Sequence, residues 1–327
     1  MLLRHLIFAF VFLYVLSTAS WAGQQPFSQR PDVQQFIQMM VVKHHFSESK
    51  LDNLFSRVYT NQQVLDLMEK PLEHKPWYFY RKLFITDKHV QEGVRFWRKN
   101  ARALHDAERI YGVPASIIVA IIGVETSYGD NRGNVRTLDA LSTLAFDYPQ
   151  RAKFFRGELE QFLLLTRELA KNPMNLYGSY AGALGYPQFM PSSYRKYGVD
   201  FNKNNHADLL DDPVDAIGSV ANYLKMKGWQ PHQPITERAR VVGTGYQALG
   251  RNAPPRSLKL LTKDGVYATK PHPSSMRAGF LTLDGESVPE YWLVFHNFYV
   301  IKAYNSSSLY AMSVYQLSQL LEKKRRH

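Results

Sequence analysis

The spacing of apolar and polar positions predicts helices over most of the chain. Val33, Phe36, Ile37, Met40 and Val41 recur three and four residues apart, as one face of a helix requires, and Leu51, Leu54, Phe55 and Val58 continue the pattern. Past Pro71 and Pro76 it resumes at Trp77, Tyr80 and Phe84, then runs as one long segment from Thr86 to Tyr111. Further helices are expected over Leu138 to Phe146, around Phe154 to Leu169 with Asn172-Pro173 as its stop, over Pro213 to Leu224, and over Leu309 to Leu321. Residues 24 to 30 are polar and read as a loose linker. From Pro231 the character changes. Asp264-Gly265 and Asp284-Gly285 are hairpin-type turns between short runs such as Ser257 to Leu261 and Gly279 to Leu283, which predicts a small antiparallel β unit before Trp292 to Tyr304 rejoins the core. The sequence contains no internal repeat.

One stretch departs from amphipathic patterning. Between Tyr111 and Gly129 the run Ile117, Ile118, Val119, Ala120, Ile121 and Ile122 is apolar on every face, so a helix here is buried all round. Pro114 suits its first turn and Gly129 the left-handed position beyond its end. Glu125 sits near that end. Desolvation and the negative end of the helix dipole both disfavour its anion, so its pKa is expected to rise. A carboxyl group protonated near neutral pH can donate to a leaving oxygen, as the general acid of glycoside cleavage does. The competing reading is a half-solvated carboxylate that marks the helix end and pairs with an arginine.

Composition narrows the setting. The 327 residues are 45% hydrophobic and 13% aromatic, enough for two or three packed domains. Arg4, the apolar run Leu6 to Leu16 and Ser20-Trp21-Ala22 have the layout of a secretory signal cleaved near Ala22, and eleven apolar residues are too few for a comfortable membrane span. No later segment has transmembrane character. The absence of cysteine removes disulfides, thiolate catalysis, Cys-based zinc sites and attachment of a lipid to cysteine, so a soluble exported protein is expected. Its net charge of +12 becomes +11 once Arg4 is lost with the signal, which points to a polyanionic wall polymer or a membrane surface rather than to nucleic acid.

Other candidate features are weaker. His44-His45 are adjacent and therefore point apart on a helix, which favours surface histidines over a metal site. The segment from Gly178 to Pro191 is dense in glycine, aromatic and amide groups, and suits either a tight loop or a surface that approaches sugar rings closely. Asp200, Asn202 and Asn204 place oxygens at alternate positions, as in the first half of a calcium loop. Asn205 stands where such a loop uses glycine and Asp211 where it uses glutamate, so a metal-free or weakly binding loop is expected. The Lys323 to Arg326 cluster reads as a solvated tail.

Taken together, GVETSYG, GSYAGALGYPQFMPSSY, DPVDAIGSVANYL and NFYVIKAYNSSSLYAMSVYQL resemble the lytic murein transglycosylase B family, in the family's order and over about residues 30 to 320. The resemblance implies an α+β, mainly α fold. A lysozyme-like core at 111–230 and 291–305 would be flanked by a helical domain at 23–110, joined by the C-terminal helix 306–327, and by a small antiparallel β domain at 231–290. It implies cleavage of the β-1,4 bond between N-acetylmuramic acid and N-acetylglucosamine in peptidoglycan, with Glu125 as the catalytic glutamate. No cofactor would be required. Tyr80, Arg151, Ser179, Gln188, Phe189, Tyr223, Tyr304, Asn305 and Tyr310 would line the saccharide groove. Asp200, Asn202, Asn204, His206 and Asp215 would form at most a weak structural calcium loop. Besides glycan strands, wall-synthesis proteins are expected partners.

A conventional glycosidase needs two carboxylates, and no compelling second one is evident; in the family's reaction the muramyl C6 hydroxyl is the nucleophile. Three departures stand out. Gln150 replaces the first of two adjacent arginines, Pro187 follows Tyr186 where glycine is common, and Tyr128 replaces a frequent tryptophan. A hydrolytic muramidase on the same scaffold and a non-catalytic wall-binding protein are the alternatives.

Overall fold

The computed structural model describes residues 25–69 and 75–326; the signal segment expected at 1–22 lies outside them. The N-terminal helices are α1 (Pro31–His44), α2 (Glu48–Phe55) and α3 (Gln62–Met68), the last two capped by Ser47 and Asn61 side chains that accept from Lys50 and Val64 N–H groups. The apolar face predicted for α1 is the buried one. The preceding stretch is not a loose linker: Phe27 is fully buried in a short 3-10 turn, its N–H bonds the Val58 carbonyl at 2.9 Å, and its ring meets Phe146 with centroids 5.8 Å apart. Phe27 docks the stretch together with Arg30, which donates to Asp147 and to the Phe146 carbonyl.

Helix α4 (Trp77–Phe84) buries Trp77 and Tyr80. The segment expected to be continuous from Thr86 to Tyr111 is two helices, α5 (Asp87–Lys99) and α6 (Ala101–Tyr111). Asn100 leaves helical geometry between them, and its side-chain amide bonds the Phe96 carbonyl at 2.9 Å.

Next come α7 (Ala115–Thr126), β1 (Val135–Arg136), α8 (Thr137–Asp147), α9 (Ala152–Glu168), β2 (Tyr177–Gly178), α10 (Pro191–Tyr197) and α11 (Pro213–Met226). Pro114 is the cap of α7 and not its first helical residue. The helix also ends earlier than Gly129 suggested. Ser127 and Tyr128 both take left-handed backbone, with φ of 49° and 63°, before Gly129 follows at 101°. Non-glycine residues hold that conformation only when their surroundings fix it.

The chain then forms a five-stranded antiparallel sheet in the order β4-β6-β7-β3-β5, made of β3 (Thr236–Val241), β4 (Asn252–Ser257), β5 (Val266–Ala268), β6 (Arg277–Leu283) and β7 (Glu290–Val294). The run Ser257 to Leu261 is not a strand. Ser257 caps the short helix α12 (Leu258–Lys263), and Asp264-Gly265 turns from that helix into β5. Strand alternation sorts the sheet's two faces: Phe280 and Leu293 pack on α12 in a small core of their own, while Leu281, Leu283, Trp292 and Val294 join the main core. Helix α13 (His296–Lys302) leads to α14 (Ser308–Arg326), which packs along α7, α5 and α4. The basic C-terminal cluster is part of α14, and Arg325 lies 4.6 Å from the Trp97 ring centroid, over its face. Among the described residues no single helix is long and apolar enough to cross a membrane.

Candidate active site

Helix α7 is buried on nearly all its length and delivers Glu125, half-buried, one residue before its end. Two contacts fix that end. The buried His89 ring lies 3.0 Å from the Gly123 carbonyl, to which its Nε2–H donates, and Tyr128 folds back against Gly123 and Gly93, where any β-carbon would collide with its ring or hydroxyl. Helix α14 supplies the partner from the opposite wall: the Tyr310 hydroxyl donates to Glu125 Oε1 at 2.6 Å. Burial pushes the Glu125 carboxyl up to about 7 from its ordinary 4.5, against the smaller lowering effect of the Tyr310 hydrogen bond. No neighbouring carboxylate contributes to that shift among the described residues. The same burial and the adjacent Glu125 keep Tyr310 and Tyr304 neutral, both raised well above the usual phenol value.

An aromatic wall extends from this pair. Tyr304 stacks on Tyr310 with centroids 6.3 Å apart and planes 14° from parallel. Tyr223 meets Tyr304 at 4.9 Å, and Phe189 meets Tyr223 at 5.5 Å and Tyr304 at 5.6 Å. Tyr80, from α4, is close enough to Tyr310 to raise its pKa and packs on Phe84 at 5.3 Å. Five of the expected groove residues are thus brought together around Glu125.

The loop between β2 and α10 carries two more. Leu184 and Phe189 pair as an isolated bridge, and the turn they enclose puts Gln188 at φ 46° with its amide donating to the Arg132 and Gly185 carbonyls at 3.1 and 2.9 Å. Thr126 Oγ1 and Tyr304 Oη hold this turn by bonding the carbonyls of Tyr186 and Pro187 at 3.0 and 2.6 Å. Pro187 therefore costs the turn no donor, because its carbonyl makes the contact. Ser179 Oγ accepts from the Ala183 N–H at 3.0 Å, and Asn305 Oδ1 accepts from the Ser307 N–H at 3.1 Å. Arg151 stands apart: it is exposed, lies 4.3 Å from the Phe154 ring centroid, and lines a separate hollow with Gln150 and Ser192. Thr126 and His89 carry no signal in the sequence, and Tyr128 stands out there only as the replacement of a frequent tryptophan; closeness to Glu125 or to a glycine is what singles all three out.

The Asp200 loop is held by its own oxygens. Asp200 accepts from the Asn204 and Asn205 N–H groups at 3.0 and 2.7 Å, Asn202 Oδ1 accepts from Asn204 at 3.0 Å, and Asn204 Oδ1 accepts from His206 at 3.2 Å. Asp215 is fully buried and accepts from Phe201, Asn202 and Asp208 N–H groups at 2.8, 3.2 and 2.8 Å. Among the described residues no group of three or more His, Cys, Asp or Glu side chains is arranged to hold a metal ion. With two carboxylates, both engaged with backbone, and an exposed imidazole where calcium takes oxygen, the donors as arranged do not form a calcium cage.

A carboxyl whose pKa burial pushes up to about 7 thus stands at the end of a buried helix before a wall of tyrosine rings, in a mostly helical fold of lysozyme-like type with a small antiparallel sheet. The sequence model of the Transglycosylase SLT domain family matches residues 28–319, and the chain belongs to that family. It is 45% identical over 303 residues to the membrane-bound lytic murein transglycosylase B of Escherichia coli (strain K12), covering 90% of this chain and 83% of the relative. Among solved structures, the soluble lytic transglycosylase SltB1 from Pseudomonas aeruginosa superposes with a TM-score of 0.86 at 45% identity, over 91% of this chain and all of the other. Escherichia coli Slt35 in complex with calcium gives 0.85 at 44% identity, over 93% of this chain and 97% of that one. The chain is a lytic transglycosylase acting on peptidoglycan.

Proposed function

We propose that Glu125 alone carries both proton transfers, and that the bond cleaved is the β-1,4 link from N-acetylmuramic acid to N-acetylglucosamine. The protonated carboxyl donates to the glycosidic oxygen as the C1–O bond breaks. The resulting carboxylate then takes the proton of the muramyl C6 hydroxyl as that oxygen bonds to C1, which leaves a 1,6-anhydro end and restores the acid without consuming water. The observation that carries this reading is the seat of Glu125 at the end of a buried helix with the Tyr310 hydroxyl 2.6 Å from its Oε1, where burial pushes its pKa up to about 7 and no second carboxylate among the described residues contributes. At that value the group is a competent acid and, once ionised, a competent base near neutral pH.

Tyr310 is read as the group that steadies the carboxylate after the first transfer, because its hydroxyl donates to Oε1. Tyr80, Phe189, Tyr223 and Tyr304 supply ring faces for the saccharide, and Ser179, Gln188 and Asn305 orient its polar groups. Arg151, set apart from the acid, is read as a contact for substrate parts that project from the glycan. The reaction needs no cofactor, and the Asp200 loop is read as a structural element whose calcium affinity is weak. The cellular setting that fits is the periplasm, with the signal removed near Ala22 and glycan strands as the main partner.

The test is mass spectrometry of the products released from purified peptidoglycan by the wild type and by Glu125→Gln. Muropeptides one water lighter than hydrolysis products, absent with the variant, are expected. Reducing-end products would assign a hydrolytic muramidase, and undiminished release by the variant would remove Glu125 from the reaction.

A further inference from the structure

A second concave surface lies away from Glu125, between α2 and the C-terminal half of α9, and encloses about 760 Å³. Its floor is apolar: Leu51 and Leu54 from α2 face Leu163 of α9, with Phe46 closing one end. Its rim is cationic. Lys50 of α2 and Arg57 just beyond that helix stand along one side, and Arg167 of α9 along the other. Among the described residues no acidic side chain lines it.

This absence is arranged rather than accidental, because the carboxylates of both helices are held on other faces. Glu48 and Asp52 of α2 accept from Gln38 and Gln34 of α1 at 2.6 and 2.8 Å. On α9, Glu158 accepts from Ser192, Glu160 is paired with Lys43 and His44, and Glu168 is paired with Arg195. The rim cations are left without acids. Among the described residues Arg57 donates within its own turn, to Asn53, and Arg167 donates to the His44 carbonyl at 2.7 Å and lies 4.4 Å from the Phe46 ring centroid. Among the described residues neither they nor Lys50 forms an ion pair; Lys171, at the end of the groove, lies 3.6 Å from Asp211.

We propose that this groove docks an acidic peptide segment of a partner protein, with apolar side chains seated on the leucine floor and carboxylates facing Lys50, Arg57 and Arg167. Charge complementarity selects the sign of the occupant, and the apolar floor selects its class. A polyphosphate would match the rim but leave the floor empty. A flat bilayer surface cannot reach a floor that lies below its rim. A second copy of a chain with net charge +12 would be repelled, and this chain's own residues 1–24 contain no Asp or Glu. The inference does not depend on the assignment of Glu125.

The experiment is fluorescence anisotropy with a labelled eight-residue peptide alternating Glu and Leu, titrated with the full chain. An alternating Lys-Leu peptide and an alternating Glu-Gly peptide serve as controls. Saturable binding of the first probe is expected, at least tenfold tighter than either control and weakening as salt is added. Arg57→Glu combined with Arg167→Glu should weaken it at least tenfold while peptidoglycan release is retained, which shows that the variant is folded. Lys50→Glu, on an exposed side chain, gives an independent reading with an expected loss of at least threefold. Equal binding of the probe by the wild type and these variants would overturn the proposal. So would binding of the Glu-Gly peptide as tight as that of the first probe, or displacement of the probe by phosphatidylglycerol vesicles, which would make the surface a lipid contact.

Discussion

Replacing Glu125 by Gln should stabilise the protein at alkaline pH and leave it unchanged in acid. The carboxyl ordinarily titrates at 4.5 and is pushed up to about 7 in the fold, so between these values the native state holds a proton that the unfolded chain has released. Stability must therefore fall as pH rises through this window. The contribution is fully present below 4.5 and lost once the folded group ionises above about 7. A displacement of roughly 2.5 in pKa corresponds to about 3 kcal/mol, reduced to about 2–3 kcal/mol because the side chain keeps partial solvent contact. Gln has nearly the same shape and can still accept from Tyr310, but it never bears the charge. The assay is the melting temperature of wild type and variant at pH 4 and pH 8.5. The two should coincide within error at the lower pH, apart from any constant offset. At the higher pH the variant should gain about 4–6 °C, taking about 2 °C per kcal/mol for a chain of this size. A difference independent of pH would refute both the raised pKa and the role built on it.

Tyr310→Phe removes the donor that stabilises the carboxylate, so the pKa of Glu125 should rise further. The alkaline limb of the pH–rate profile should move up by about one pH unit as the overall rate falls, and an unmoved limb would show that the hydroxyl does not act on the acid. Gly93→Ala should cost about 1–3 kcal/mol in chemical denaturation, because its β-carbon would overlap the Tyr128 hydroxyl and lie 2.5 Å from Leu321 Cδ2. Combining it with Tyr128→Phe should recover part of the loss. Asp215→Asn should cost about 2 kcal/mol, because the amide keeps one oxygen for the Phe201 and Asn202 N–H groups but sets an NH2 donor against the Asp208 N–H. Millimolar calcium should shift the wild-type melting temperature by less than about 1 °C, whereas a large shift would show that the loop oxygens reorganise into a metal site.

How much of this was legible in the chain depended on how local each cause is. The all-round apolar run of α7 pointed to a buried helix, but the carboxylate at its end suited a half-solvated side chain paired with an arginine equally well, and only the motif resemblance favoured an acid. The aromatic wall was not readable by periodicity, because Phe189, Tyr223, Tyr304 and Tyr310 come from separate segments and converge only when α14 lies along α7. Motif resemblance supplied them.

Where local reading failed, one or two side chains overrode their neighbourhood. Asn100 broke a helix that composition favoured, by returning its amide to the backbone, and Phe27 together with Arg30 docked a polar segment. Ser257 began a helix where the following residues looked like a strand, because its hydroxyl caps the Leu260 N–H. The end of α7 shows why such details bear on function. Gly129 suits the residue just past the helix end, yet Ser127 and Tyr128 enter left-handed backbone before it. Tyr128 is held there by the two glycines it packs against, Gly93 and Gly123, while His89 beneath them bonds the Gly123 carbonyl. That clamp fixes the last turn of α7 and so the direction in which Glu125 points. The strain it stores is local to the acid, and its supports lie on helices α5 and α7, some thirty residues apart in sequence.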